Sequence, residues 1–283
     1  MTTSRAFLRP TVLAASQAIA DYARAAAMPD NPRTTAVAAV LREHATHLPS
    51  LAHWQAQARA AAALPTVPTW GMEGESVTYR LTLDADETRA LLRRAESYWH
   101  AKPEALLCAA LLVALWRLGQ SQPLRIAVER HGRDLLGPLA AERSVGWFTA
   151  LYPFVANPNA ELPATLRQVR SIMREWDELH LDCLGAMAAD PELRQLAKVD
   201  AIINFLGSFD ASFGEDGLIQ PLDADLGPSI DPLNPRGNGL ELVGLVSKGQ
   251  LRLSLACAAG RPAQSGEALI AGIGQALRDL GSA

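Results

Sequence analysis

The chain is 283 residues long, 49% hydrophobic and 20% charged, with 26 Lys and Arg against 30 Asp and Glu. It is long enough to bury a sizeable core in one large or two small domains, and too sparsely charged for a disordered acidic or basic tail. The net charge of −4 offers no basic excess to displace the counterions of a nucleic acid, and no apolar run approaches the roughly eighteen residues of a membrane span.

Residues 1–28 are Ala-rich, and the stretch 11–20 has the look of a secretion signal until Ser16 and Gln17 interrupt it and Asp21 follows. A helix explains it better. Pro10 suits a first turn, and Val12, Ala15, Ile19, Tyr22 and Ala23 recur at helical spacing. The reading is that of a cytoplasmic protein. The scattered Cys108, Cys183 and Cys257 fit it as small apolar fillers rather than a disulfide frame or a metal pair. Helices are predicted over about 10–27, 34–47 and 50–63, separated by Pro29, Pro32 and Pro49. Residues 1–63 thus form a helical lead-in segment, followed by a linker over 64–74 with two prolines and two glycines.

From residue 75 strand and helix alternate. Val77, Tyr79, Leu81 and Leu83 alternate with polar residues, the period of a half-buried strand. Asp84 and Glu87 read as a capping box opening a helix over 85–99. Pro103 opens another, 103–118, that is apolar on nearly every side, hence buried between layers, and closed by Gly119. The strand 124–131 turns Leu124, Ile126 and Val128 one way and Arg125, Ala127, Glu129 and His131 the other, which leaves a carboxylate and an imidazole about 7 Å apart on one face. A helix at 162–180, a strand at 201–206 and a proline-rich loop over 214–238 follow. A hairpin of 239–247 and 250–257 turning at Lys248-Gly249, then a helix at 265–280, complete the pattern. The expected fold class is α/β, a mixed-sheet sandwich over 75–283.

His44, His47 and His53 lack a Cys or acidic cluster to complete a metal site, so they are read as surface or interhelix residues and no metal is expected. The chain contains no GxGxxG after a strand, GxxxxGK[ST], GxSxG or HExxH, which leaves nucleotide-dependent and metallohydrolase chemistry without support. Gly272 and Gly274 lie inside a helical pattern as close-packing positions. What remains is Val128-Glu129-Arg130-His131-Gly132-Arg133-Asp134. On its own this run reads either as an acid/base pair or as a paired, solvated sheet edge.

Nine residues further stand Arg143-Ser144-Val145-Gly146-Trp147-Phe148-Thr149 and then Tyr152-Pro153. An E-x-H-G-R-[DE] strand followed by R-[ST]-V-G-W-F-T…Y-P resembles the condensation-domain superfamily of non-ribosomal peptide synthetases, and within it looks most like the epimerisation domains. Tyr98-Trp99-His100 and the helix from Glu104 resemble the family's helix before that strand. Asn204-Phe205-Leu206-Gly207-Ser208-Phe209-Asp210 resembles its F-N-Y-L-G-Q-F-D segment, and residues 240–253 its closing hairpin. The resemblance implies a chloramphenicol-acetyltransferase-like fold, in which two lobes form a V and phosphopantetheine arms of carrier proteins enter between them. Only the carboxy-terminal lobe, preceded by the helical segment, is matched. The family's HHxxxDG motif, which belongs to the amino-terminal lobe, is absent, since no two histidines are adjacent. Phe205 stands for the usual Tyr, Ser208 for Gln and Asp134 for Glu, while Arg130 occupies a position where the family often has Gly or Asn. A helical run from Arg174 replaces a Pro/Gly-rich segment expected near 172–185.

Epimerisation removes and returns an α-proton beside a thioester carbonyl, a task for two acid/base groups on opposite faces of the α-carbon. The resemblance makes Glu129 one such group, with a pKa raised toward neutrality by a partly apolar cleft, and Asn204 an amide that orients or polarises the substrate. It places His131, Trp147, Phe148 and Phe205 around the substrate, His131 in a structural role beside Gly132. No cofactor of the chain's own is expected; the substrate arrives on the 4′-phosphopantetheine arm of a carrier protein. Three functions follow. One is a binding or accessory module that engages carrier-tethered aminoacyl or peptidyl thioesters. Another is half of a split epimerase or condensation enzyme, its other lobe supplied in trans or by a self-dimer, with Glu129 as acid/base. The third is a structural subunit of a larger synthetase. A carrier protein is the expected partner; nucleic acid and membrane are not.

Overall fold

A computed structural model describes residues 48–132, 149–178, 183–209, 230–259 and 263–282. The predicted helices at 10–27 and 34–47, with His44 and His47, lie outside the described residues, as do Asp134, Trp147 and Phe148.

Asp84 caps the helix that follows it: its carboxylate accepts the backbone N–H groups of Asp86 and Glu87 at 2.9 and 2.8 Å, and Glu87 accepts in return from the Asp84 N–H. The helices are α1 (Leu48–Ala62), α2 (Ala85–Arg94), α3 (Pro103–Arg117), α4 (Leu162–Glu178), α5 (Cys183–Ala189) and α6 (Ala263–Ser282). The strands are β1 (Val77–Leu83), β2 (Leu124–His131), β3 (Thr149–Ala156), β4 (Ala201–Ser208), β5 (Leu240–Ser247) and β6 (Gln250–Cys257). They form one sheet in the order β1-β6-β5-β4-β2-β3. The central β2, β4 and β5 run parallel, whereas β1, β6 and β3 join antiparallel.

One sheet face is the core face. Along β5, Leu240, Leu242, Gly244 and Val246 are buried while the residues between them are half-buried. Helices α2, α3, α4 and α6 cover that face. α3 is buried at every position from Ala105 to Leu115, as its unbroken apolar sequence requires. Missing side chains bring α6 close: a Cβ on Gly272 would stand 3.2 Å from the Cβ of Ala114 in α3, and one on Gly274 2.7 Å from Leu81 Cδ1 in β1. The β5–β6 hairpin turns on Lys248 and Gly249, both left-handed at φ 53° and 71°, as a two-residue turn with the strands' own twist demands.

Among the described residues, the second face is covered only in part. α1, α5 and the 3-10 segment Pro191–Ala197 gather at the β3 end of the sheet. There Arg125 donates to the carbonyls of Ala61, Leu64 and Pro65 and pairs with Asp200, which ties the end of α1 to the start of β2. Across β6 and β1 the same face carries the exposed Thr78, Arg80, Thr82 and Arg252.

Several boundaries differ from the expected ones. The helix over 85–99 is regular only to Arg94 and continues as a π-helical turn, Ala95–Trp99, closed by His100 at φ 46°. β4 extends to Ser208. β3, α5 and Pro191–Ala197 were not anticipated. The three cysteines are buried thiols, and Cys108 is pushed far above the ordinary thiol range by burial first and then by Glu104. Among the described residues no helix is long and apolar enough to cross a membrane.

Candidate functional site

β2 and β4 lie side by side with Glu129 directly opposite Asn204. In a parallel pair, in-register residues point to the same face, so the carboxylate and the amide meet. Asn204 Nδ2 donates to Glu129 Oε2 at 2.6 Å, and both residues are half-buried. The contact holds the carboxylate and the amide in a fixed mutual orientation. The pair faces away from the helix layer, on the partly open side of the sheet.

β2 is anchored from its other face. Arg130 Nη1 reaches Asp177 Oδ1 on α4 at 2.8 Å, and its guanidinium lies 5.5 Å from the centre of the Tyr152 ring. Lys102, just before α3, donates to the other oxygen of Asp177 at 2.9 Å. Burial pushes the Asp177 carboxyl up, but the hydrogen bonds and charges of Lys102 and Arg130 outweigh it and hold the group below the usual carboxylate range. Burial also works against the Arg130 charge, and Asp177 more than compensates, so the guanidinium is held above its ordinary value. This ion triad clasps β2, α4 and the start of α3 one residue away from Glu129. Behind it, Tyr152 stacks on Trp176 with ring centres 4.9 Å apart.

β4 is interrupted just past Asn204. Its register with β5 shifts between Phe205 and Ser208, with Gly207 at φ 90°, and pairing resumes where Phe209 N donates to Val246 O at 2.9 Å. The glycine of the Asn-Phe-Leu-Gly run therefore supplies a β-bulge that only a left-handed residue permits, and bulges of this kind re-aim the side chains beside them.

Of the residues singled out in the sequence, the structure brings Glu129 and Asn204 together. It sets His131 exposed on the same face two residues on, near the end of β2. Phe205 goes to the other face: it lines a small apolar space of the helix layer with Leu106, Leu107 and Leu251, and packs on the core. That direction leads away from the Glu129 carboxylate. His53 pairs with Glu175 on α4 at 3.1 Å, and among the described residues no His, Cys, Asp and Glu cluster of metal-binding composition occurs. The Arg130–Asp177–Lys102 clasp was missed; the only sequence signal for it is the bulky Arg130 coinciding with an acidic helix from Arg174 onward.

A family model described as "Condensation domain" matches residues 38–205, more than half of the chain. Surfactin synthase subunit 1 of Bacillus subtilis (strain 168) is 27% identical over 187 residues, covering 63% of this chain and 5% of its own length. Bacitracin synthase 2 of Bacillus licheniformis is 29% identical over 184 residues, covering 63% and 7%. The chain thus spans a small fraction of those relatives. Among solved structures, the epimerization domain from the third module of tyrocidine synthetase B superposes with a TM-score of 0.69 at 21% identity, over 87% of this chain and 58% of that one. The X-domain from teicoplanin biosynthesis superposes at 0.57 and 16% identity, over 95% and 58%. These likenesses fix the fold as the chloramphenicol-acetyltransferase-like α/β sandwich. The chain belongs to the condensation-domain family of non-ribosomal peptide synthetases.

Proposed function

We propose that the chain is a binding module of non-ribosomal peptide assembly, which engages an aminoacyl or peptidyl thioester on the phosphopantetheine arm of a carrier protein at the Glu129–Asn204 pair. The observation that carries this reading is the 2.6 Å contact itself: a fixed carboxylate–amide pair, half-buried on the partly open face of the sheet, suits recognition of an aminoacyl group. Glu129 accepts from the substrate amine or amide N–H, and the Asn204 carbonyl oxygen remains to orient it. His131 approaches from the same side of the same strand. These two groups therefore cannot flank an α-carbon from opposite faces, which favours binding over epimerisation by this chain alone.

Titration calorimetry against a carrier protein bearing an aminoacyl thioester tests the proposal. The loaded carrier binds more tightly than the unloaded one, and Glu129→Gln weakens binding by roughly tenfold or more, since a hydrogen bond to a charged group contributes about 1.5–3 kcal/mol. Absence of association with any loaded carrier refutes the reading. The half-buried carboxylate on the partly open face supports one second reading, in which Glu129 is the base of a split epimerase completed by another lobe. Incubation in heavy water distinguishes it: deuterium entering the α-position, and lost in Glu129→Gln, replaces binding with catalysis.

A further inference from the structure

The open sheet face is not uniformly polar. On β1 and β6 it carries Thr78, Arg80, Thr82, Arg252 and Ser254, the composition of a solvated surface. On β4 and β5 it carries Ile202, Val243 and Leu245, between Glu241 and Ser247 at the two ends of β5, with Leu206 exposed at the bulge. Val243 is the register partner of Asn204, Ile202 lies two residues before it on the same face, and Leu206 stands in the stretch where the register shifts. Leu206 stands 45% exposed and lies at the bulge, where Gly207 leaves open space around its Cα. The Asn204 amide is therefore bordered by apolar side chains on the side away from Glu129, and those in turn by a polar rim.

We propose that Leu206, Val243 and Leu245 form a subsite for the apolar side chain of the thioester-bound residue, so that the substrate class is a leucine-like rather than a charged aminoacyl group. The inference rests on the thioester reading of the Glu129–Asn204 pair. Strand spacing and rise give this strip an area of roughly 100–150 Å². A stable subunit contact needs about 800 Å² per partner, so the strip is too small to seat a second copy or a whole lobe by itself, but matches one side chain. Its position sets the order of recognition: the backbone polar groups of the tethered residue lie on Glu129 and Asn204, and its side chain falls across β5.

Leucyl and aspartyl thioesters of N-acetylcysteamine, titrated into the full chain and followed by NMR, test this. The leucyl compound binds roughly tenfold or more tightly than the aspartyl one, the discrimination expected of a hydrophobic subsite. Leu245→Asp abolishes that preference with the thermal midpoint held within a few degrees. Leu206→Ser, at the most exposed position of the strip, reduces the preference and guards against a folding defect in the first variant. Equal affinity for both thioesters overturns the subsite while leaving the thioester reading intact. Binding of neither overturns both. A concentration-dependent dimer in light scattering that Leu245→Asp dissolves also overturns the proposal, by making the strip an interface.

Discussion

Replacing Asn204 with Asp turns the pair into two carboxylates at a position where amide and carboxylate now stand 2.6 Å apart. The substitution is isosteric, so its effect is electrostatic. The lost hydrogen bond to a charged acceptor is worth about 1.5–3 kcal/mol, with the lower value appropriate to half-buried groups. The new repulsion between charge centres about 4 Å apart lies between about 1 kcal/mol in water and about 4 kcal/mol at a protein surface. Sharing one proton at pH 7, about three units above the carboxylate range at about 1.4 kcal/mol each, costs about 4 kcal/mol and so sets the same upper bound as the repulsion. The lost bond and the repulsion together amount to roughly 3–5 kcal/mol at pH 7, or a fall of about 5–9 °C in thermal midpoint at an unfolding entropy of about 2.1 cal/mol/K per residue. The sign with pH follows. The variant's folded state binds a proton that its unfolded state releases, so its stability improves as pH falls toward 5 and worsens as pH rises. Thermal unfolding followed by circular dichroism at pH 5, 6 and 7 measures this. Adding Glu129→Gln to Asn204→Asp recreates a carboxylate facing an amide with the roles exchanged, and restores most of the loss together with a flat pH response. An Asn204→Asp variant as stable as the parent at pH 7, or a double variant no better than the single one, refutes the proposed contact.

The other predictions concern what holds the pair in place. Asp177→Asn lowers the thermal midpoint at pH 7; because the folded carboxyl is held below its usual range, its stabilisation is present above the ordinary carboxylate pKa and lost as pH falls through the folded value, so parent and variant converge in acid-denaturation curves. Gly207→Ala meets no atom within 4 Å yet forces an alanine to φ 90°, so it costs about 1–2 kcal/mol in denaturant titration and weakens thioester binding by moving Asn204. Arg236 has a side chain only 1% exposed and bonded to Glu73, Asn238 and Ala256, so Arg236→Met leaves the Glu73 carboxylate unpaired and costs about 3 kcal/mol, part of which Glu73→Gln returns.

Much of the architecture was legible because its signals are local. The Asp84 cap, the Pro103 start of α3, the alternation along β2 and the Lys248-Gly249 turn each act within a few residues, and each is found in the structure. β3 was not legible. Its residues 150–154 are buried on both faces, which erases the period-two pattern, and Pro153 argues against a strand. The structure accommodates that proline because β3 is an edge, with β2 its sole strand neighbour among the described residues. The clasp was hidden for a different reason: Arg130 and Asp177 are 47 residues apart, and no periodicity links a strand end to a helix end at that distance.

The site itself divides along the same line. Glu129 and Asn204 are 75 residues apart, so motif order could suggest that both matter but not that one would hold the other. That relation depends on β4 lying beside β2 in parallel, with this register. Once Asn204 is assigned to the Glu129 face, the strand's own pleat decides its neighbours. Phe205 must turn to the helix layer, and Leu206 is exposed where the register shifts. The sequence therefore contained enough to separate Phe205 from the substrate side: two adjacent residues of one strand cannot both face the same ligand. Across the sheet from Asn204 stands Val243, and with Leu245 it gives that part of the open face an apolar character that an ordinary solvated face lacks, with Leu206 exposed at the bulge beside them.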